Sequence, residues 1–392
     1  MALRIFHIVP SLDPARGGPP MVAVRLAAAQ AALGCHVSIA GMIHPSALGA
    51  INAEYARIPG WNYVHLHALP PIPWRNLFIG GALRAACRQI VRAADIVHLH
   101  GLWEPQIKFT ADAARAAGVP YALTTHGMLD PWSLRQKRLK KRLALALAYR
   151  RMVNGAAFLH FLNSDEQRLI EPLGFRAPVE VISNGVFLEE TELLPAPGAF
   201  RRQHPEIGDA PYVLFLSRLH FKKGLDYLCD SFALVNDLRA HLVVAGPDDG
   251  ERAEFERRVA RANLADRVHL VGPLYGREKV AAMVDAACFC LPSRQEGFSM
   301  AILESLAAGL PPVISDACHF PEVAEAGAGI VTPLDPPRIA AAIDSLLSDP
   351  VRRASMSAAA VDLVRTRYTW QAIASKSLAA YAKHIPAKAG LV

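Results

Sequence analysis

The chain has no Cys-x-x-Cys pair among its six cysteines, which are scattered as Cys35, Cys87, Cys229, Cys288, Cys290 and Cys318. That spacing supplies neither a zinc ribbon nor a disulfide framework. Cys35, Cys288 and Cys290 sit in apolar, strand-like runs, where a free thiol serves as a small core residue. A reducing compartment is therefore expected. No uncharged apolar run reaches the roughly 18 residues of a membrane span. The opening Leu3 to Val9 is too short for a signal-peptide core before it meets Pro10, Ser11 and Asp13. The expected location is the cytoplasm. Low-complexity tracts and short-period repeats are missing, and so is a GxGxxG dinucleotide fingerprint, which removes most support for a Rossmann dehydrogenase. No aromatic stacking strip or nucleic-acid recognition module accompanies the basic residues, so nucleic acid is not an expected partner.

What is present is 392 residues with 52% hydrophobic content, enough for two ordinary cores. Short apolar strands alternate with alanine-rich helical stretches almost end to end, the pattern of a parallel sheet covered on both faces. The first part reads as strand 3–9, loop 10–18, helix 19–33 and strand 35–40, with later strands at Asp95 to Leu99, Tyr121 to Thr125, Phe158 to Leu162 and Val179 to Ile182. Between Glu189 and Pro211 the periodicity fails amid Pro195, Pro197, Gly198 and Pro205. A second series of strands follows at Tyr212 to Ser217, His241 to Ala245, Val268 to Val271, Cys288 to Leu291 and Val313 to Ser315. These breaks predict an N-terminal domain 1–190, a linker 191–211, a second domain 212–368 and a C-terminal helix within 369–386 that packs back on the first domain. Charge is uneven. Residues 1–190 carry 20 basic and 12 acidic side chains against 22 and 23 in the remainder, and six of the cations lie between Arg135 and Arg142.

Open α/β sheets bind ligands outside the carboxyl ends of their strands, so the loops there hold the candidate chemistry. The loop Pro14 to Pro19 contains Gly17 and Gly18, adjacent glycines that let the backbone approach a ligand in front of helix N–H groups, although paired glycines equally make plain turns. Ser217 to Gly224 presents Arg218 and Lys223 at a strand end, where they either neutralise a leaving diphosphate or form a solvated charged turn. Asn184-Gly185 and Gly272 to Gly276 read as turns, and the open backbone groups of the second, which contains Tyr275, can receive a flat nucleobase. Glu296 and Glu304 stand seven intervening residues apart, across a loop entering a helix. Ser299 is expected to cap that helix, so that the backbone N–H groups around Phe298 and Ser299 point back toward the Glu296 loop, with Gly297 among the residues expected at the donor. Glu304 then suits a ribose diol and Glu296 the hydroxyls of a sugar. His98 and His100 alternate on one strand, as His65 and His67 do on another, but neither pair has a carboxylate or Cys at metal spacing, and no metal site is expected.

Four segments together resemble the motifs of the retaining, nucleotide-sugar-dependent glycosyltransferases of family 4: Glu296 to Glu304, Arg218 to Gly224, Asn184-Gly185-Val186 and the Gly17-Gly18 loop. The resemblance spans nearly the whole chain. It implies the GT-B fold, an α/β arrangement of two facing Rossmann-like doubly wound domains with a deep interdomain cleft, the second domain holding the nucleotide sugar and the first most of the acceptor. It further implies that Arg218 and Lys223 bind the diphosphate, Glu304 the ribose and Glu296 the donor sugar, while Gly18 offers its backbone to phosphate or sugar. Two positions depart from the family pattern. Phe187 stands where an acidic residue often follows Asn-Gly-Val, and Ser299 where a glycine often completes Glu-Gly-Phe-Gly.

His126 closes the strand 121–125 at a position where the family often has a histidine that touches the donor sugar; by strand-end chemistry alone it is equally a local turn residue. The run His126 to Trp132, with a basic helix behind it, resembles enzymes that assemble bacterial exopolysaccharide, capsule or O-antigen. His100 to Glu104 is expected to wall the acceptor side, Trp103 offering a flat face. The implied reaction moves a hexose-type sugar from a nucleoside diphosphate to a saccharide, polyprenyl-diphosphate-linked acceptors included, with retention and with neither metal nor cofactor. His126, Arg218, Lys223 and Glu296 form the expected catalytic set. In residues 134–151, Leu139, Leu143 and Ala146 or Leu147 make an apolar stripe among cations, which suits an anionic membrane surface or else packing on the helix's own domain. A noncatalytic sugar-nucleotide or carbohydrate-binding protein, and a sugar-phosphate hydrolase, are the competing readings.

Overall fold

The structure, a computed structural model, describes residues 2–13, 18–70, 81–192 and 194–385. The chain divides into two compact units, residues 1–185 with 370–392 and residues 186–369. Trp370–His384 therefore belongs with the first unit.

In the first unit the described strands are β1 (Arg4–Ser11), β2 (His36–Met42), β3 (Val64–Leu69), β4 (Ile96–His100), β5 (Tyr121–Thr124), β6 (Phe158–Phe161) and β7 (Val179–Val181). They pair in the order β3-β2-β1-β4-β5-β6-β7, all in parallel. Alternate residues of a strand point to opposite faces. One face carries Phe6, Ile8, Val97, Leu99, Leu123 and Phe161 into an apolar core with Leu83, Cys87 and Ile90 of the helix Gly81–Ala93 and Ile107, Ala111 and Ala114 of the helix Pro105–Ala117.

The other face carries His7, His98, His100, Thr124 and His160, all buried, against the helices Gly18–Ala32 and Trp370–His384. Buried polar groups must find partners, and here they find one another. His7 Nδ1 lies 2.9 Å from His100 Nε2, and His7 Nε2 2.7 Å from Gln30 Oε1. His98 meets the Tyr381 hydroxyl at 2.6 Å and Thr124 Oγ1 at 2.7 Å. Although His7, His98 and His100 have ligand atoms within 4.8 Å of one another, all six of their ring nitrogens are committed to such bonds. His65 and His67 lie exposed on β3.

In the second unit β8 (Tyr212–Leu216), β9 (His241–Ala245), β10 (Val268–Gly272), β11 (Cys288–Leu291), β12 (Pro312–Ser315) and β13 (Ile330–Thr332) pair in parallel in the order β10-β9-β8-β11-β12-β13. Leu214, Phe215, Val243, Cys290 and Leu291 are fully or almost fully buried, as central strands covered on both faces require. Residues 194–211, part of the expected linker 191–211, pack into this unit. Phe200 and Ile207 enter its core, and Asp285 accepts hydrogen bonds from the backbone N–H groups of Gly198 (2.6 Å), Phe200 (2.9 Å) and Arg201 (3.2 Å). Prolines had erased the periodic signal, but two apolar side chains and one remote carboxylate suffice to dock the segment. Among the described residues no helix is long and apolar enough to cross a membrane.

Burial holds the His7 and His160 imidazoles down to about 4 and that of His126 to about 3; His160 lowers His7 and His126 slightly further, while the hydrogen bonds to Gln30 and to Ile182 O oppose the shift of His7 and His160. The unfolded chain, whose histidines titrate near 6.5, binds more protons below that pH, so stability is complete above about 6.5 and falls as pH drops toward 4. Each of these rings contributes a slope of up to about 1.4 kcal/mol per pH unit. Urea unfolding at pH 7.5 and pH 5 should give a clearly lower midpoint at pH 5, and His160→Asn should shrink that difference.

Candidate functional site

In a doubly wound sheet, neighbouring strands whose connections run to opposite sides leave a crevice at their carboxyl ends. In the second unit that point lies between β8 and β11, and the loops leaving those two strands are the ones that carry the expected cations and carboxylates. The loops are stitched together. Arg294 N donates to Lys222 O at 2.7 Å, Lys222 Nζ reaches Gln295 Oε1 at 2.6 Å, and the Arg294 guanidinium grips Asp226 while lying 4.1 Å from the centre of the Phe221 ring. Gly224 makes this approach possible. Its φ is 69°, and a Cβ there would stand 1.9 Å from the Pro292 carbonyl oxygen, inside any tolerable contact.

The product of the stitching is an ion pair. Lys223 Nζ lies 2.6 Å from Glu296 Oε1, and the Ser293 hydroxyl donates to the same oxygen at 2.5 Å. The two side chains retain only 14% and 8% of their exposure, so each charge depends on the other. The Glu296 backbone N–H is anchored on Ala317 O at 3.1 Å, which sets the carboxylate at the mouth of the crevice. A Cβ built on Gly297 would meet nothing within 4 Å, so the space beside this turn is open.

Glu304 stands on the helix Met300–Ala307 and is paired through Oε1 with Lys279 Nζ at 2.8 Å, Lys279 belonging to the helix Gly276–Asp285. Lys279 was not anticipated, since its partner is remote in sequence and no local pattern marks it. Ser293 was missed for a different reason: a lone serine after a strand carries no signal until Glu296 folds back on it. Arg218 is exposed and paired with Asp249. Tyr275 is 71% exposed, just ahead of the helix Gly276–Asp285. At this turn one expectation needs correction. Ser299 occupies the N-cap position, but its side chain makes no capping hydrogen bond, because its backbone alone closes the helix by accepting from Leu303 N. The Phe298 ring packs on Phe320 (5.1 Å) and Tyr368 (6.2 Å), which makes it a prop under the turn.

Of the expected site residues, three described ones lie in the first unit. Gly18 opens the helix Gly18–Ala32 after β1, with no atom of the described residues within 4 Å of a built Cβ, while Gly17 lies outside the described residues. Asn184 is buried, 3% exposed, beyond β7. His126 follows β5 with φ 48°, in the left-handed region that only a constrained side-chain-bearing residue keeps. The constraint is Glu166, another residue the sequence reading missed. Its carboxylate accepts from Thr125 Oγ1 (2.8 Å), Gly127 N (2.9 Å) and Leu162 N (2.9 Å). Burial pushes that carboxyl upward while the three bonds oppose the shift. The Asn163-x-x-Glu166 spacing of a helix start was its only sequence signal. Trp103 is not an open face: its ring packs on Tyr149 at 5.2 Å with Lys141 Nζ 5.5 Å from its centre. Beside it, Trp103 Nε1 and Glu104 Oε2 are buried without a hydrogen-bond partner among the described residues, and burial raises the Glu104 carboxyl.

Lys223→Met would leave Glu296 buried with Ser293 as its one side-chain partner, at a cost of about 3 to 5 kcal/mol. Adding Glu296→Gln should recover most of the loss. Urea unfolding of parent, single and double variants measures this; a double variant no more stable than the single one would mean that the two charges are not coupled.

Comparison with known proteins gives the family and the fold. The sequence profile of glycosyl transferases group 1 matches residues 198–362, and that of the glycosyl transferase 4-like domain matches residues 17–185. A GDP-mannose:cellobiosyl-diphosphopolyprenol alpha-mannosyltransferase of Xanthomonas campestris is 28% identical over 311 residues, 74% of each chain. A GDP-mannose-dependent alpha-(1-6)-phosphatidylinositol monomannoside mannosyltransferase of Mycobacterium tuberculosis is 27% identical over 339 residues, 82% of this chain and 84% of that one. Among solved structures, HepE of Anabaena in complex with UDP and glucose superposes with a TM-score of 0.78 at 20% identity, covering 97% of this chain and all of that one, and so shares its fold. With the two profiles matched in order along the two units, the chain belongs to the group 1, family 4 glycosyltransferases and has their GT-B fold.

Proposed function

We propose that this glycosyltransferase moves a hexose-type sugar from a nucleoside diphosphate to a lipid-linked saccharide, with retention at the anomeric carbon and without a metal, in the building of a cell-surface polysaccharide. The observation that carries the reading is the buried Lys223–Glu296 pair at the carboxyl ends of β8 and β11. An ammonium has three donors, so Lys223 can hold Glu296 and still bind a phosphate oxygen. Arg218 is tied to Asp249 only by an exposed pair, worth at most about 1 kcal/mol, and can exchange it for a diphosphate. Glu296 offers its second oxygen to sugar hydroxyls, and Glu304, held through one oxygen by Lys279, offers the other to a ribose diol. The exposed Tyr275 ring receives the base.

In this reaction the bond from the anomeric carbon to the diphosphate breaks as the acceptor hydroxyl bonds to the same face. The acceptor's proton ends on the departing phosphate. Charge gathers on that phosphate in the transition state, so preorganised cations lower the barrier more than a strong protein base would. GDP-mannose is the first donor to test, since two relatives named for it are more similar in sequence than the UDP-binding fold neighbour. Both of those relatives are named for lipid-borne acceptors.

A lipid-linked acceptor fits the surface of the helical stretch 138–154. Leu139, Leu143 and Leu147 are 82%, 61% and 77% exposed, one turn apart, with Arg138, Lys140 and Arg142 exposed around them. This unpartnered apolar stripe ringed by cations favours an anionic membrane surface, on the inner face of the cytoplasmic membrane, over packing on its own unit. Each nearby cation adds about 1 kcal/mol of attraction.

Purified protein given GDP-mannose, UDP-glucose and other nucleotide sugars, with membrane lipid extract as acceptor and EDTA present, should release nucleoside diphosphate from one of them. The Lys223→Met/Glu296→Gln variant should release it at least about 100-fold more slowly. A product with inverted anomeric configuration would refute retention. Co-sedimentation with vesicles containing phosphatidylglycerol should be lost when Leu139, Leu143 and Leu147 are changed to Gln; binding that survives this change would place the lipid contact elsewhere.

A further inference from the structure

The buried histidines of the first unit form a directed relay whose sense is set at both ends by carbonyl groups that can only accept. At one end the Ser377 hydroxyl donates to Ala374 O at 2.7 Å, so its oxygen accepts from Gln30 Nε2 at 2.8 Å. The Tyr381 hydroxyl likewise accepts from Gln30 Nε2 at 3.1 Å and donates to His98 Nδ1 at 2.6 Å. With its amide nitrogen so used, Gln30 turns Oε1 toward His7 Nε2, which must carry the proton. A neutral His7 then accepts at Nδ1 from His100 Nε2–H across 2.9 Å. A neutral His100 in turn accepts at Nδ1 from His126 Nε2–H across 3.3 Å. Burial keeps all of these rings neutral at physiological pH.

The reverse sense fails twice. Turning the Gln30 amide over would require the single Ser377 proton to serve both Ala374 O and Gln30 Oε1. It would also make Tyr381 accept from His98 Nδ1, leaving a bare His98 Nε2 to face His160 Nδ1 at 3.3 Å. That nitrogen of His160 is bare as well, because Nε2 spends its proton on Ile182 O at 2.7 Å. Two lone pairs would then confront each other in a dry interior.

We propose that Gln30, His7 and His100 are positioning residues that hold His126 as its Nε2–H tautomer, leaving Nδ1 as a hydrogen-bond acceptor for a sugar hydroxyl. Nδ1 of His126 has no hydrogen-bond partner among the described residues and is not among the sealed, unpartnered atoms of the interior, so it is open to a ligand. The strained φ of 48°, held by the Glu166 clamp on the neighbouring Thr125 and Gly127, supports the same ring from the backbone side. The helix Trp370–His384, through Ser377 and Tyr381, thereby determines which atom His126 presents. The role for a sugar hydroxyl rests on the transferase reading above; the tautomer does not.

Long-range proton–nitrogen spectra of the full chain labelled with nitrogen-15 histidine, with the His126 signal assigned by its loss in His126→Gln, report the tautomer directly. The wild type at pH 7.5 should show His126 protonated at Nε2. His100→Phe should lose that preference and about tenfold in kcat/KM for the sugar nucleotide, the loss expected for one misdirected hydrogen bond. His100→Asn, which sets an amide oxygen near the position of Nδ1, should recover most of both. A wild-type His126 protonated at Nδ1 overturns the relay even if no His100 variant folds. So does a folded His100→Phe with unaltered tautomer and kinetics. Absence of transfer from every sugar nucleotide, with the Nε2–H tautomer present, would instead overturn the transferase reading and spare the relay.

Discussion

Lys223 and Glu296 are charges that neither water nor each other alone would keep where they are. Their pairing at 2.6 Å, with Ser293 on the same oxygen, offsets the burial of both at the carboxyl edge of the second sheet. Everything near it serves that approach. Gly224 has no side chain because the Pro292 carbonyl occupies the space, Arg294 ties the two loops through Asp226, and Phe298 props the turn from beneath. Together these contacts hold two adjacent strand-end loops in register and leave open space at Gly297 beside the pair.

The first unit applies the same rule with neutral groups. A parallel sheet covered by helices on both faces has no water to satisfy polar side chains, so five histidines, Thr124, Gln30, Ser377 and Tyr381 satisfy one another. Each link has one admissible direction because the chain of donors ends on carbonyl oxygens. The two units thus prepare their edges differently, one with opposed charges and the other with a fixed sequence of proton positions.

Much of the fold was legible along the chain. Strands such as Cys288–Leu291 and Tyr212–Leu216 are short apolar runs ended by turn residues, a local signal that parallel sheets write strongly. The three-residue strand Ile330–Thr332 gave too little pattern to see. The segment 191–211 read as a linker since its prolines hide the burial of Phe200 and Ile207. At the site, Lys223, Glu296 and Glu304 were visible because glycine, charge and spacing mark them within short windows. Lys279, Ser293 and Glu166 were not, since each matters only through a partner that is distant along the chain or becomes adjacent on folding.

The sequence by itself determined the alternation of strands and helices, the strand-end positions of the cations and carboxylates, and the basic apolar stripe around Leu139, because these depend on neighbours a few residues apart. Tertiary structure alone decided that Lys223 meets Glu296, that Trp103 is covered by Tyr149, and that a C-terminal helix reaches through Gln30 to orient His126. Those outcomes depend on the direction and burial of side chains 46 to 347 residues apart, such as Trp103 with Tyr149 and Gln30 with Ser377. Hydrogen bonds and ion pairs act over about 3 Å, and only a folded chain brings such atoms that close.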